Sequence, residues 1–308
     1  MTPWVVVYDP LPHFTYLEER ALLAAGGAEL FVPASEADAR AAIVGADVVV
    51  VTGRRPFTAG AVASLTRCVG VQTSSTGADY VDPSLHERGI PLRTAAGYCT
   101  EEVSDHAIAL LLAAWRRIPM LDRAGWTGSD AVTAPVRRLR GRVVGIVGMG
   151  RIGRLVAAKA RGIGLEPVGH DPFLRAAQVA PTPLLELDEL LATADVVVLC
   201  APATPGTRHL IDARRLALTR PGVILVNVSR GALVDEAALL AALDSGRVAV
   251  AALDVREVEP PRPGDPLAGR PDTILTPHAA ATSVESVAEL HEVTARGALD
   301  LLRAAGRG

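Results

Sequence analysis

Three side chains in this 308-residue sequence form a set able to bind an anion and move a proton: Arg230, Glu259 and His278. Each lies in a loop that follows a short apolar, β-branched run. Arg230 comes after residues 223–227 in Val228-Ser229-Arg230-Gly231, Glu259 comes after 248–253, and His278 comes after 273–275 in Thr276-Pro277-His278. A planar guanidinium offers forked donors that suit a carboxylate. An imidazole titrates nearest to neutrality and can give or take a proton. A carboxylate beside it fixes its tautomer and raises its pKa. Taken singly, each residue is more readily a surface cation, a loop solvator or an ordinary loop imidazole. Their placement at successive strand ends favours chemistry, because ligands of a doubly wound sheet bind beyond the carboxyl ends of its strands. Such a set anchors a 2-oxo acid and protonates its ketone oxygen, provided that a hydride donor is at hand. Asp254 directly follows the 248–253 run and is placed to meet that donor rather than to catalyse.

A site for the donor precedes these loops. Residues 143–147 form an apolar run that reads as a buried parallel strand, leading into Gly148-Met149-Gly150-Arg151-Ile152-Gly153 and then an Ala-rich helical stretch. Gly148 permits the tight turn, Gly150 lets backbone approach a pyrophosphate, and Gly153 lets the helix pack close to the strand. The helix start presents unpaired N–H groups and a positive dipole end to phosphates. A second strand, 166–170, ends at Asp171, whose carboxylate accepts from a ribose 2′-hydroxyl and repels a 2′-phosphate. The cofactor predicted is NAD rather than NADP.

The elements that must position these groups follow from chain length and alternation. Three hundred and eight residues exceed what one core usually organises, so two domains are expected. With 49% hydrophobic residues and a net charge of −3, the chain reads as soluble and globular, with no general attraction for nucleic acid. Cys68, Cys99 and Cys200 are odd in number and match no metal-ligand or CxxC spacing, which predicts neither disulfides nor a structural metal. No stretch has the length of a membrane span and no signal segment is legible, so a cytoplasmic location is expected. Lys159 is the only lysine.

Strands at 4–8, 29–32, 47–51, 68–73 and 90–94 alternate with helices at 16–25, 35–44, 58–65 and 83–88. That pattern demands a parallel sheet with right-handed crossovers. A long helix is predicted over 101–118 with Pro119 as its stop, then an irregular crossing segment over 120–141 containing the basic cluster Arg137, Arg138, Arg140 and Arg142, read as a solvated linker. Strands at 143–147, 166–170, 196–199, 223–227, 248–253 and 273–275 suffice for a six-stranded doubly wound sheet, and a final amphipathic helix spans 283–305. The expectation is thus α/β, two doubly wound parallel-sheet domains: a Rossmann NAD-binding domain over 99–285, and a flavodoxin-like substrate domain over 1–98 with 286–308.

The glycine loop, Asn227-Val228-Ser229-Arg230-Gly231-Ala232-Leu233-Val234-Asp235, Leu253-Asp254-Val255 with Glu259-Pro260, and Thr276-Pro277-His278-Ala279-Ala280 together resemble the D-isomer-specific 2-hydroxyacid dehydrogenases. The likeness extends over Thr204–Ile211 and over residues 99–106, where it is similar to the branch with C-terminal-binding-protein-like members. The resemblance implies a catalytic trio of Arg230, Glu259 and His278. It implies cofactor contacts from Gly148, Gly150, Arg151, Ile152, Gly153, Asp171, Thr207, Val228, Ser229, Arg230, Asp254 and His278. It also implies a substrate loop at 74–79, here Ser75-Thr76-Gly77 where glycine-rich variants are usual, and homodimers formed through 100–140. The implied substrate is a small 2-oxo or 2-hydroxy acid, as in glyoxylate and hydroxypyruvate reductases. Arg256 stands where the family usually has an aromatic residue. Arg54 and Arg55 follow a strand of the first domain, balanced between binding a second anionic group and plain surface roles. His106, His170 and His209 read as structural, with no evident partner. Two other readings remain: an NAD(H)-sensing corepressor-like binding protein, and a phosphite-type dehydrogenase.

Overall fold

The computed structural model describes residues 2–125 and 136–307. It divides into two compact units, Met1–Cys99 with Thr282–Gly308, and Thr100–Ala281. The chain re-enters the first unit at 282 rather than at the 286 expected, because the N-cap of the last helix, Ser283, belongs with the helix it starts.

In the first unit β1 (Trp4–Val7), α1 (Leu17–Ala25), β2 (Glu29–Phe31), α2 (Glu36–Ile43), β3 (Val48–Val51), α3 (Ala59–Ser64), β4 (Gly70–Thr73), α4 (Ser84–Glu87) and β5 (Leu92–Arg93) alternate. The sheet is parallel with order β2-β1-β3-β4-β5, the flavodoxin-like arrangement. All of β3 is buried, as a parallel strand covered on both faces must be. Side-chain caps set the helix starts: Ser35 accepts from the N–H of Asp38, and Thr58 from that of Ala61.

The second unit holds α5 (Thr100–Trp115), α6 (Ile118–Ala124), β6 (Val143–Val147), α7 (Arg151–Gly162), β7 (Glu166–His170), α8 (Leu187–Thr193), β8 (Val196–Leu199), α9 (Ala213–Leu218), β9 (Val223–Asn227), α10 (Glu236–Asp244), β10 (Val248–Leu253) and β11 (Thr273–Leu275). Its six strands, all parallel, run β11-β10-β9-β8-β6-β7. The order 3-2-1-4-5-6 of dinucleotide folds would need another strand beyond β7, and it survives there as one bridge, Leu184 to Gly169. Pro181 and Pro183 both precede that residue, and proline has no N–H for a ladder, so the pairing cannot extend in that direction. The sheet buries Leu190, Leu199, Leu225 and Leu253 on one side. Each such side chain contributes about 1.5–3 kcal/mol by leaving water.

Two expectations over 101–141 are corrected. The long helix ends at Trp115, and Pro119 starts a helix rather than stopping one, since it lies in the first turn of α6, where no N–H is needed. The chain is therefore helical to Ala124 where an irregular segment was expected. The remainder of that segment over 126–135 lies outside the described residues.

A last helix, α11 (Val284–Ala304), returns to the first unit. Its Ala295, Ala298, Leu299 and Leu302 pack with Val5, Val7, Val48 and Val50. No described helix is long and apolar enough to cross a membrane.

Candidate active site

The order of the second unit's sheet reverses between β6 and β8, and the two loops leaving those strands meet there. Gly148 has φ +93°, and a Cβ on it would lie 2.6 Å from the backbone nitrogen of Ala201 in the loop after β8. A Cβ on Gly153 would lie 2.0 Å from the Gly148 carbonyl oxygen, so α7 can approach the turn only because both are glycine. Gly150 differs: it caps α7 with no side-chain hydrogen bond, and nothing lies within 4 Å of a Cβ built there. Open space before an uncapped helix N-terminus fits a pyrophosphate. Beyond β7, Asp171 accepts from the N–H of Met149 at 3.0 Å and of Phe173 at 3.0 Å, which places its carboxylate beside the glycine turn. Thr207 Oγ1 donates to the Pro202 carbonyl at 2.8 Å and closes the loop after β8, and Ser229 Oγ donates to the Ala201 carbonyl. Val228 is buried.

Arg230 is positioned by Asn227, the buried last residue of β9. The Asn227 amide donates to the Arg230 carbonyl at 2.9 Å and accepts from the Ser229 N–H at 3.1 Å, holding the chain in a tight turn. The Arg230 guanidinium is half-buried and donates to the Ser229 carbonyl at 2.8 Å.

His278 and Glu259 form a direct pair, Nδ1 to Oε2 at 2.7 Å. The second oxygen, Oε1, accepts from the Arg256 N–H at 2.8 Å. The bond to Glu259 holds the His278 imidazole above its ordinary pKa, against burial and the charge of Arg230. Burial works against ionisation of Glu259, but the bonds from His278 and the Arg256 N–H outweigh it and hold its carboxyl below the usual value. Both shifts favour the charged form of the pair, imidazolium beside carboxylate. With Nδ1 committed, Nε2 is the nitrogen left to meet a reacting oxygen.

Asp254, the residue expected to contact the cofactor, has local partners of its own. It is 1% exposed. Its Oδ1 accepts from Thr276 Oγ1 at 2.6 Å and Ala279 N–H at 2.9 Å, and its Oδ2 from Ala280 N–H at 3.0 Å. Its carbonyl accepts from the His278 N–H at 2.8 Å. Asp254 therefore folds the loop that carries His278, whose φ of 51° is unusual for a residue with a Cβ. His106 of α5 adds to this from behind, with Nε2 3.0 Å from Thr276 Oγ1 and 3.4 Å from Asp254.

The histidines read as lacking partners all have them: His170 Nδ1 meets the Leu185 carbonyl at 2.9 Å, and His209 Nε2 meets Glu257 at 2.9 Å. Such partners lie far away in sequence and no local spacing signals them. Among the described residues no group of three or more His, Cys, Asp or Glu side chains could hold a metal ion.

The remaining candidates belong to the first unit, where the loop after β4 is tied to itself. Ser75 Oγ donates to the Gly77 carbonyl at 2.7 Å and meets Tyr80 Oη at 2.7 Å, while Thr76 Oγ1 lies 3.6 Å from Cys99 Sγ. Among the described residues none accepts from the N–H of Thr76 or Gly77. Arg55 is committed to Glu36 at 2.5 Å and to the Tyr8 carbonyl at 3.0 Å, and exposed Arg54 reaches the Pro10 carbonyl at 3.3 Å.

Residues 108–280, more than half of the chain, match the NAD binding domain of the D-isomer specific 2-hydroxyacid dehydrogenases. A D-3-phosphoglycerate dehydrogenase of Archaeoglobus fulgidus is 39% identical over 218 residues, covering 69% of this chain and 41% of that protein. A glyoxylate reductase of Korarchaeum cryptofilum is 38% identical over 237 residues, covering 74% and 71%. The solved structure of a protein from Thermus thermophilus superposes with a TM-score of 0.85 at 34% identity, covering 98% of this chain and 97% of that one. The chain spans about half the length of the D-3-phosphoglycerate dehydrogenases it matches. With a nicotinamide-dinucleotide fold in its second unit and this likeness along its length, the chain belongs to the D-isomer-specific 2-hydroxyacid dehydrogenase family.

Proposed function

We propose that this protein is an NAD(H)-dependent oxidoreductase of small 2-oxo and D-2-hydroxy acids. The observation that carries the reading is the His278–Glu259 pair, poised as a proton donor in the same unit as Arg230 and an uncapped glycine turn. A bound nicotinamide supplies the hydride to C2 of the acid. The chain's residues do the rest. Arg230 binds the substrate carboxylate with forked N–H donors. His278 delivers the proton from Nε2 to the ketone oxygen as the alkoxide forms, and takes it back in the oxidative direction. Glu259 keeps the imidazole charged and turned the right way. Thr76 and Gly77 offer backbone N–H groups of the kind a carboxylate takes. Gly148, Gly150, Arg151, Ile152, Gly153, Thr207, Val228 and Ser229 bind the dinucleotide, and Asp171 favours NAD over NADP by accepting from a 2′-hydroxyl.

The test is NADH oxidation, followed at 340 nm, against a panel of 2-oxo acids with NADPH in parallel. Glyoxylate, hydroxypyruvate or a bulkier 2-oxo acid is expected to turn over, with kcat/KM at least about tenfold higher for NADH. Binding of NADH without turnover of any member would remove the reading in favour of a sensor.

The pH dependence gives an independent check. The raised pKa of His278 keeps the imidazolium present above its ordinary range, so reduction persists to higher pH than an unpaired histidine would allow. Glu259→Gln keeps the shape and removes the charge. The alkaline limb of kcat/KM for reduction is then expected at lower pH, with kcat lower on the order of tenfold to hundredfold near neutrality. A limb that stays in place would separate Glu259 from the proton transfer.

A further inference from the structure

Arg256 is only 8% exposed at its side chain and lies between Glu236, which opens α10, and Asp265. Its Nε reaches Glu236 Oε1 at 2.8 Å and its Nη2 reaches Oε2 at 3.0 Å. On the other side, Nη1 and Nη2 reach the two Asp265 oxygens at 2.5 and 2.9 Å. Two forked pairs from one cation need a guanidinium, and an ammonium could not form them.

What this clamp holds is one stretch of backbone. The Arg256 N–H donates to Glu259 Oε1 at 2.8 Å, and the next N–H, of Glu257, donates to Glu236 Oε1 at 2.8 Å. The peptide between them lies against Gly231, where an added Cβ would fall 1.9 Å from the Arg256 carbonyl carbon. Gly231 directly follows Arg230. Two consecutive peptides thus make the contacts, one to the carboxylate that holds His278 and the next to the residue beside the guanidinium.

We propose that Arg256 is a positioning residue, whose clamp to Glu236 and Asp265 fixes the Glu259–His278 pair relative to Arg230. The proposal rests on the proton-donor reading above only for its consequence in turnover. Removing the guanidinium leaves two carboxylates that share a poorly hydrated pocket, and like charges so placed repel. The loop relaxes to separate them and carries the Arg256 N–H and Glu259 with it. The charged groups facing His278 are Glu259 from this loop, Arg230 after β9 and Asp254 directly after β10, with His106 of α5 behind Asp254. Asp254 and His106 are held by the 276–280 loop rather than by the clamp, so its loss acts through Glu259.

The experiment is an NMR titration of the His278 imidazole, assigned by its absence in His278→Ala, in the parent protein, Arg256→Met, Arg256→Lys and Glu259→Gln. Arg256→Met is expected to move the His278 midpoint down, as Glu259→Gln does, with Arg256→Lys between. The kcat for 2-oxo acid reduction is expected to fall on the order of tenfold, with NADH affinity unchanged. A folded Arg256→Met whose His278 midpoint equals the parent's overturns the proposal, even if its melting temperature is lower. Should Arg256→Met fail to fold, Asp265→Ala removes one arm of the clamp and is read in the same way. The titration needs no turnover, so an inactive parent protein would count against the oxidoreductase reading while the midpoint still decides the role of Arg256.

Discussion

His278→Ala is expected to lower kcat for 2-oxo acid reduction by about 10²–10⁴-fold, the usual contribution of a placed general acid. Glu259 occupies Nδ1 of the imidazole, and the bond from the His278 N–H to the Asp254 carbonyl fixes the backbone that carries it. That leaves Nε2 with a defined direction and a proton to give. Alanine deletes the donor but leaves the glycine turn and Asp171 untouched, so NADH affinity should stay near that of the parent protein. The loss then falls on kcat, as it does when an interaction made only in the transition state is removed. Steady-state kinetics with NADH fluorescence titration reads both quantities. A variant that keeps more than about a tenth of the parent kcat would rule out His278 as the proton donor.

Arg230→Ala is expected to lower kcat/KM by about 10²–10³-fold, because truncating one partner of a charged, hydrogen-bonded pair costs roughly 2–5 kcal/mol. Arg230→Lys should recover only a small part. A lysine keeps the charge but presents it as a hydrated point, without the planar fork that matches a carboxylate. The turn set by Asn227 is made through the backbone of residue 230, so either substitution leaves the local fold in place. Much of the loss should show as a raised KM for the 2-oxo acid, and in Arg230→Ala the alkaline limb of the pH profile should move to slightly higher pH, since the Arg230 charge opposes protonation of His278. If Arg230→Lys matched the parent in kcat/KM, Arg230 would be acting by charge alone.

Much of the second unit was legible in the sequence because its signals are local. Five apolar runs fix five of the six strands to the residue, since a strand buried on both faces must be continuously apolar, and the mixed run 166–170 is placed by its position between the glycine-turn helix and Asp171. Gly148, Gly150 and Gly153 announce the turn, because the close approaches there admit no Cβ or leave open space for a ligand. Arg230, Glu259 and His278 stand out because loops after parallel strands converge at one edge of the sheet. Local rules also erred. By local rules Pro119 stops a helix, where the chain uses it as a start, and the bridge at Leu184 carries no signal because one residue has no period.

The tertiary structure alone decided who holds whom. The Asp254 carboxylate, by sequence expected at the cofactor, accepts from Thr276, Ala279 and Ala280, and His106 reaches the same cluster from a helix 170 positions away. Arg256, by sequence a departure at one position, is the hub of a buried ion cluster joining α10 to the loop of Glu259. Periodicity, caps and turn chemistry act within a few residues and can be read from a string. A buried charge takes whichever partner the packed chain brings within hydrogen-bonding distance, and only the folded backbone determines that.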